Sequence, residues 1–209
     1  LPNNQLDMMA YNDTLTVDVY ACDSMLNGIY TIGTGGQFAT IDDGLLELSM
    51  CGMNGPVTFE FSNGTYDPMT IDGLILNING LSAQNTLTIT SASGDASDVI
   101  IGISTVTNTT ALAISNMNHL IISDLTIGTN STYTGHAVDI AGMCENILIY
   151  GCNIRTNPNA TGSANTGVRY YGASGASTYM KDVRFIKNNL DGGYANFYFY
   201  YPAGSDANM

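Results

Sequence analysis

The stretch Ala111–Ile127, ALAISNMNHLIISDLTI, is written again at Ala137–Ile154 as AVDIAGMCENILIYGCNI. Leu112 and Ile114 return 26 residues later as Val138 and Ile140. Leu120, Ile122, Leu125 and Ile127 return 27 residues later as Ile147, Ile149, Cys152 and Ile154. One extra residue in a turn accounts for the difference. Each copy reads as an alternating strand, a turn, a second strand, a two-residue bend and a third strand. Successive side chains of a strand point to opposite faces, so alternation marks one face as core. Self-similarity at such a period marks a stacked repeat.

Working outward, first strands carry the inward pairs Val57/Phe59, Leu87/Ile89, Leu112/Ile114, Val138/Ile140, Val168/Tyr170 and Phe197/Phe199. A second set runs Ile78, Ile101, Ile122, Ile149 and Phe185. The steps are unequal, as expected when strand positions are fixed and insertions fall in loops. Units that advance in one direction stack like strands in parallel, about 4.8 Å apart. Three strands per unit predict three parallel sheets around one core. A hairpin-built sandwich would need two-residue turns of the Asn-Gly type. Asn63–Gly64 and Asp72–Gly73 are such pairs, but later units lack equivalents.

Before the first clear unit, Ile41, Leu45 and Leu48 fall at helical spacing. Thr40 and Asp43 form a capping-box-like start, and Gly52 and Gly55–Pro56 end the run. This predicts one amphipathic helix capping the open end of the stack, where apolar side chains and strand edges need cover. The chain divides into residues 1–27, an N-terminal arm or tail of a preceding module; 28–56, a turn-rich segment with the capping helix; and 57–209, coils that continue or end uncapped. Thr14–Ala21 alternates like a strand. Leu1 in place of an initiator Met suggests that a leader or upstream region has been removed.

Of the 209 residues, 44% are hydrophobic and 11% charged, so polarity comes from Asn, Thr, Ser and Gly, as in turn-rich all-β chains. Five basic against eighteen acidic residues give a net charge of −13. That balance argues against nucleic acid or an anionic membrane surface as partner. No apolar run reaches the roughly 18 residues of a membrane span, so no membrane insertion is expected. Cys22, Cys51, Cys144 and Cys152 show no metal-knuckle or redox spacing. Cys152 takes the inward slot of Leu125 and reads as a buried thiol. A Cys22–Cys51 disulfide would tie the arm to the body, but sequence leaves the connectivity open.

The pattern resembles the right-handed parallel β-helix proteins of the pectate-lyase-like superfamily, and in particular secreted bacterial modules of that build. The resemblance is carried by Gly28-Ile29-Tyr30-Thr31-Ile32-Gly33, Gly36-Gln37-Phe38-Ala39-Thr40-Ile41, Gly55-Pro56-Val57-Thr58-Phe59 and Gly64-Thr65-Tyr66. It implies an all-β, right-handed, single-stranded parallel β-helix of about six coils with an N-terminal capping α-helix. It also implies export and an extracellular or outer cell-surface setting. In such folds the short bend separates second and third strands, here Ser123–Asp124 and Tyr150–Gly151. That makes Ala137–Ile140 a first strand. Related enzymes carry their active site on the exposed face of the first sheet, beside the third-to-first-strand loops.

Those loops are Gly102–Thr110, Gly128–His136 and Arg155–Gly167, rich in Thr, Asn and Gly. Between the inward pairs, outward rows read Thr58, Thr88, Ala113, Asp139, Arg169, Tyr198 and Glu60, Thr90, Ser115, Ala141, Tyr171, Tyr200. Asp139, Arg169, Tyr171, Tyr198 and Tyr200 therefore gather late in the chain as a candidate ligand-binding cluster. Aromatic faces suit sugar rings, while Asp and Arg bond hydroxyls or a uronate carboxylate. The alternative is cross-strand pairing with no ligand. No catalytic set emerges. A lyase would need several acids on calcium and a base, a glycosidase two carboxylates flanking the bond. His136, at a loop end, reads as a turn residue. The expectation is a non-catalytic surface module that binds a polysaccharide or glycoprotein glycan, without cofactor or metal. End-to-end self-association through an uncapped C-terminal coil is a further expectation. A fragment of a polysaccharide-active enzyme and a structural spacer are the alternatives.

Overall fold

The computed structural model describes residues 22–102, 110–128, 135–172 and 178–200. Thr14–Ala21, where a strand is expected, and residues 103–109 and 129–134, which make up most of two candidate loops, lie outside them.

Every strand pairing in the described residues is parallel, and the strands form three sheets. The first sheet holds β4 (Met69–Asp72), β7 (Leu112–Ser115), β10 (Val138–Ala141), β13 (Thr166–Tyr171) and β16 (Ala195–Tyr200), in that spatial order. The second holds β1 (Leu26–Ile32), β2 (Met53–Phe61), β5 (Leu87–Ser91), β8 (Asn118–Ser123), β11 (Met143–Tyr150) and β14 (Tyr179–Ile186). The third holds β3 (Gly64–Tyr66), β6 (Val99–Ile101), β9 (Thr126–Gly128), β12 (Asn153–Arg155) and β15 (Asn189–Asp191). The fold is a parallel β-helix, each coil passing first, second and third sheet in turn.

Packing explains why the repeat is apolar at fixed places. Met69, Leu112, Val138 and Val168 stand one above another on the first sheet, all buried. Val57, Leu87, Leu120 and Ile147 do the same on the second. Ile101, Ile127 and Ile154 form a column on the third. Each buried aliphatic side chain contributes about 1.5–3 kcal/mol through removal from water, so columns hold the coils together. At the bend into the third sheet, Leu125 and Cys152 occupy successive inward slots, and Cys152 is buried as expected. Asn188 takes the next slot. Its Oδ1 accepts from Cys152 N–H and its Nδ2 donates to Ile149 C=O, both at 2.9 Å, so a polar group enters the column with its bonds made.

Two sequence alignments need correction. Val57/Phe59 and Leu87/Ile89 belong to the second sheet, not the first. The true first-sheet partner of Leu112/Ile114 is Met69/Ile71. In the second set, Ile101 belongs to β6 on the third sheet rather than with Ile122, Ile149 and Phe185 on the second, and Ile78 lies in no strand; it follows α2, the single turn Gly73–Leu76. The segment read as turn-rich also opens as a strand, since β1 begins at Leu26 and crosses the expected boundary at residue 27.

The capping helix is present as α1, Ile41–Cys51. Its box is complete: Thr40 Oγ1 accepts from Asp43 N–H at 3.2 Å, and Asp43 Oδ2 accepts from Thr40 N–H at 3.0 Å. Ile41, Leu45 and Leu48 are buried against the end of the core, while Leu46 stays exposed. Cys22 and Cys51 are joined in a disulfide that fastens the arm to the helix end. At the opposite end, Phe197 and Phe199 point inward on β16 and are 41% and 49% exposed, so the last described rung leaves apolar surface uncovered.

Candidate functional site

The candidate site forms on the outer face of the first sheet. Corrected for register, its outward rows are Thr70, Ala113, Asp139, Arg169, Tyr198 and Asp72, Ser115, Ala141, Tyr171, Tyr200. Thr58, Thr88, Glu60 and Thr90 drop out, because they lie on the second sheet. Thr70 and Asp72, missed from sequence, replace them.

All five expected residues come together. Asp139 and Arg169 are direct cross-strand partners, as are Arg169 and Tyr198, and Tyr171 and Tyr200. Arg169 grips Asp139 with two parallel bonds, Nε to Oδ1 at 2.8 Å and Nη2 to Oδ2. Planar guanidinium and carboxylate match in this fork, the strongest form of the contact. The side chains are 29% and 17% exposed, so the pair is part-buried rather than a screened surface bridge. The bonds to Asp139 hold the Arg169 guanidinium above its ordinary range, against the opposing effect of burial.

The tyrosines follow from the stacking distance. Strands about 4.8 Å apart place equivalent rings in face-to-face contact. Tyr171 and Tyr200 stack with centroids 5.0 Å apart and planes 17° apart. The Arg169 guanidinium lies over the Tyr171 ring, 5.6 Å from its centroid. One face of each stacked ring is thus spent on the other ring. Tyr171 is nevertheless 46% exposed and Tyr200 39%, leaving part of each side chain accessible.

His136 sits at the margin of this face and is only 9% exposed. Its Nδ1 lies 2.7 Å from Thr166 Oγ1, and Gly135 N–H donates to Asn165 Oδ1 at 3.2 Å. Burial first, and then the Arg169 charge, push its pKa down to about 4, with Asp139 opposing. At neutral pH it is an uncharged packing group holding the start of β13. The offset of 30 residues that joins His136 to Thr166 also joins Asp139 to Arg169, and was the available signal.

At the other end of the face, Asp72 caps α2, accepting from Leu74 N–H at 2.8 Å. Although burial opposes it, hydrogen bonds from Ser115, Leu74, Ile75 and Asn116 lower its pKa on balance. Among the described residues, no group of three His, Cys, Asp or Glu side chains gathers as a metal site. The second sheet's outer face holds a depression of about 220 Å³ floored by Ile121 and Leu148 and edged by His119, Asn146 and Arg184. Sequence reading missed it because these residues are scattered over three coils. Its Arg184 is paired with Asp182 at 3.1 Å.

No family model matches this chain, and no curated protein or solved structure matches it significantly.

Proposed function

We propose that this parallel β-helix, pectate-lyase-like in build, is a non-catalytic module of an extracellular or cell-surface protein and binds glycan on its first sheet. The observation that carries the reading is the Tyr171–Tyr200 stack beside Arg169, part-exposed on adjacent coils. Phenol hydroxyls and guanidinium N–H groups fixed on strands suit the many hydroxyls of a sugar chain. The Cys22–Cys51 disulfide supports an oxidising, extracellular setting. A lyase or hydrolase has less support, because both carboxylate oxygens of Asp139 are engaged by Arg169.

A glycan array probed with the wild-type chain and with Tyr171→Ala and Tyr200→Ala tests the reading. Binding that both substitutions weaken by about tenfold, at unchanged melting temperature, is expected from lost contacts of roughly 1–2 kcal/mol. Binding unaffected by either substitution would rule out this face.

A further inference from the structure

Resting on the glycan-binding reading, the electrostatics of the face go further and select among glycans. We infer that the first-sheet site takes an uncharged polysaccharide and rejects a polyuronate or sulfated one.

Three fixed charges stand in the outward rows of the face: Asp72, Asp139 and Arg169. Arg169 is the one cation in those rows, its charge already met by Asp139 in the two-bond fork, while Arg155, in register with Asp191 on the third sheet, opens the loop that flanks the face. Asp72 leaves the face with a residual negative charge. The chain as a whole has the same sign, while residues 151–209, which carry Arg169 and the three tyrosines, hold five basic residues against three acidic ones. Residues 1–150 contain fifteen acidic residues and no basic one. All five bases, Arg155, Arg169, Lys181, Arg184 and Lys187, lie between residues 155 and 187. Three of the other four are engaged away from this face: Lys181 with Glu145, Arg184 with Asp182, and Lys187 with Tyr150.

An anionic polymer would therefore meet a compensated guanidinium, at the far end of the face a hydrogen-bonded carboxylate with no cation beside it in the outward rows, and a protein of net charge −13. Like charges brought together lower affinity and slow encounter. A neutral glycan meets no such barrier. It can bond the Tyr171, Tyr198 and Tyr200 hydroxyls and the guanidinium N–H groups that Asp139 leaves unused.

The test is affinity electrophoresis of the whole chain in gels carrying a neutral hexose polymer, a polyuronate or a cationic glucosamine polymer. Wild type should be retarded by the neutral polymer and not by the polyuronate. Retardation should change little between about 50 and 500 mM salt, because no ion pair forms with the ligand. Asp139→Asn keeps the side-chain shape and releases the Arg169 charge. It should gain polyuronate affinity by at least about tenfold, the worth of a charge-assisted hydrogen bond. Wild-type preference for the polyuronate or for the cationic polymer would overturn the inference and leave the glycan-binding reading standing. So would an Asp139→Asn variant, folded by circular dichroism, that gains no polyuronate affinity. Absence of binding to all three polymers would overturn both.

Discussion

The side chain of Gln37 closes the outer edge of β1 at Thr31. Its Oε1 accepts from Thr31 N–H at 2.7 Å and from Thr31 Oγ1 at 2.9 Å, and its own backbone N–H donates to Thr31 Oγ1 at 3.1 Å. Beside it, Phe38 N–H donates to Thr31 C=O at 3.1 Å and Phe38 C=O accepts from Gly33 N–H at 2.9 Å. Because β1 ends the second sheet, these groups would otherwise template another strand. Gln37→Ala should lower stability by about 1 kcal/mol. It should also produce concentration-dependent association in light scattering. A variant that stays monomeric at every concentration where wild type does would show that Phe38 alone protects the edge.

Reducing the Cys22–Cys51 bridge should destabilise the N-terminal end. The cross-link spans 29 residues of sequence. Chain-entropy arguments give about 3–4 kcal/mol for a loop of this size. Urea unfolding with and without reductant, and of Cys22→Ala, measures it, and the two should agree.

The two free thiols should be silent in the native state. Cys144 and Cys152 are buried, and burial raises both pKa values, that of Cys152 to about 12. A thiol-reactive chromophore should label neither until the chain is unfolded, and then label both. The Cys152 pKa is higher folded than unfolded, so the unfolded chain loses this proton first. Stability should therefore fall as pH rises above about 9, by at most about 1.4 kcal/mol per unit from this group.

Acid should weaken the fold through His136. Its folded pKa of about 4 lies below the ordinary 6.5, so between those values the unfolded chain binds the extra proton. Stability then falls as pH drops from about 6.5 towards 4, by on the order of 2 kcal/mol after allowance for solvent screening of the ring. Urea midpoints of wild type and His136→Gln across this range check it. The variant should show a shallower slope, and parallel curves would assign the acid sensitivity to other groups.

The coil pattern was readable where one coil repeats the next without insertion. Leu112 and Val138 are neighbours in space and 26 residues apart, so the apolar identities line up by eye. Met69 stands in the same column but 43 residues before Leu112. Besides β5 and β6, that span holds the single turn Gly73–Leu76 and the loop after it, which lengthen the coil, and the four-residue strand Met69–Asp72 is too short to show a period. Alternation is the same in every sheet, so Val57 and Leu87 were easily assigned to the wrong one. At the site, an outward Asp and Arg one coil apart were legible. Their two-bond fork was not, because it depends on side-chain rotamers. Nor was the burial of His136: the 30-residue offset pairs it with Thr166 but says nothing of depth.

Arg169 reaches back to Asp139, Lys181 to Glu145 and Lys187 to Tyr150. In each clasp the cation belongs to a later coil and its partner to the coil before. Synthesis runs in the same direction. Stacking that proceeds from the helix-capped end would therefore bring each cation to a surface where the group it binds is already in place, and residues 1–150 have no basic residue of their own to close upon prematurely.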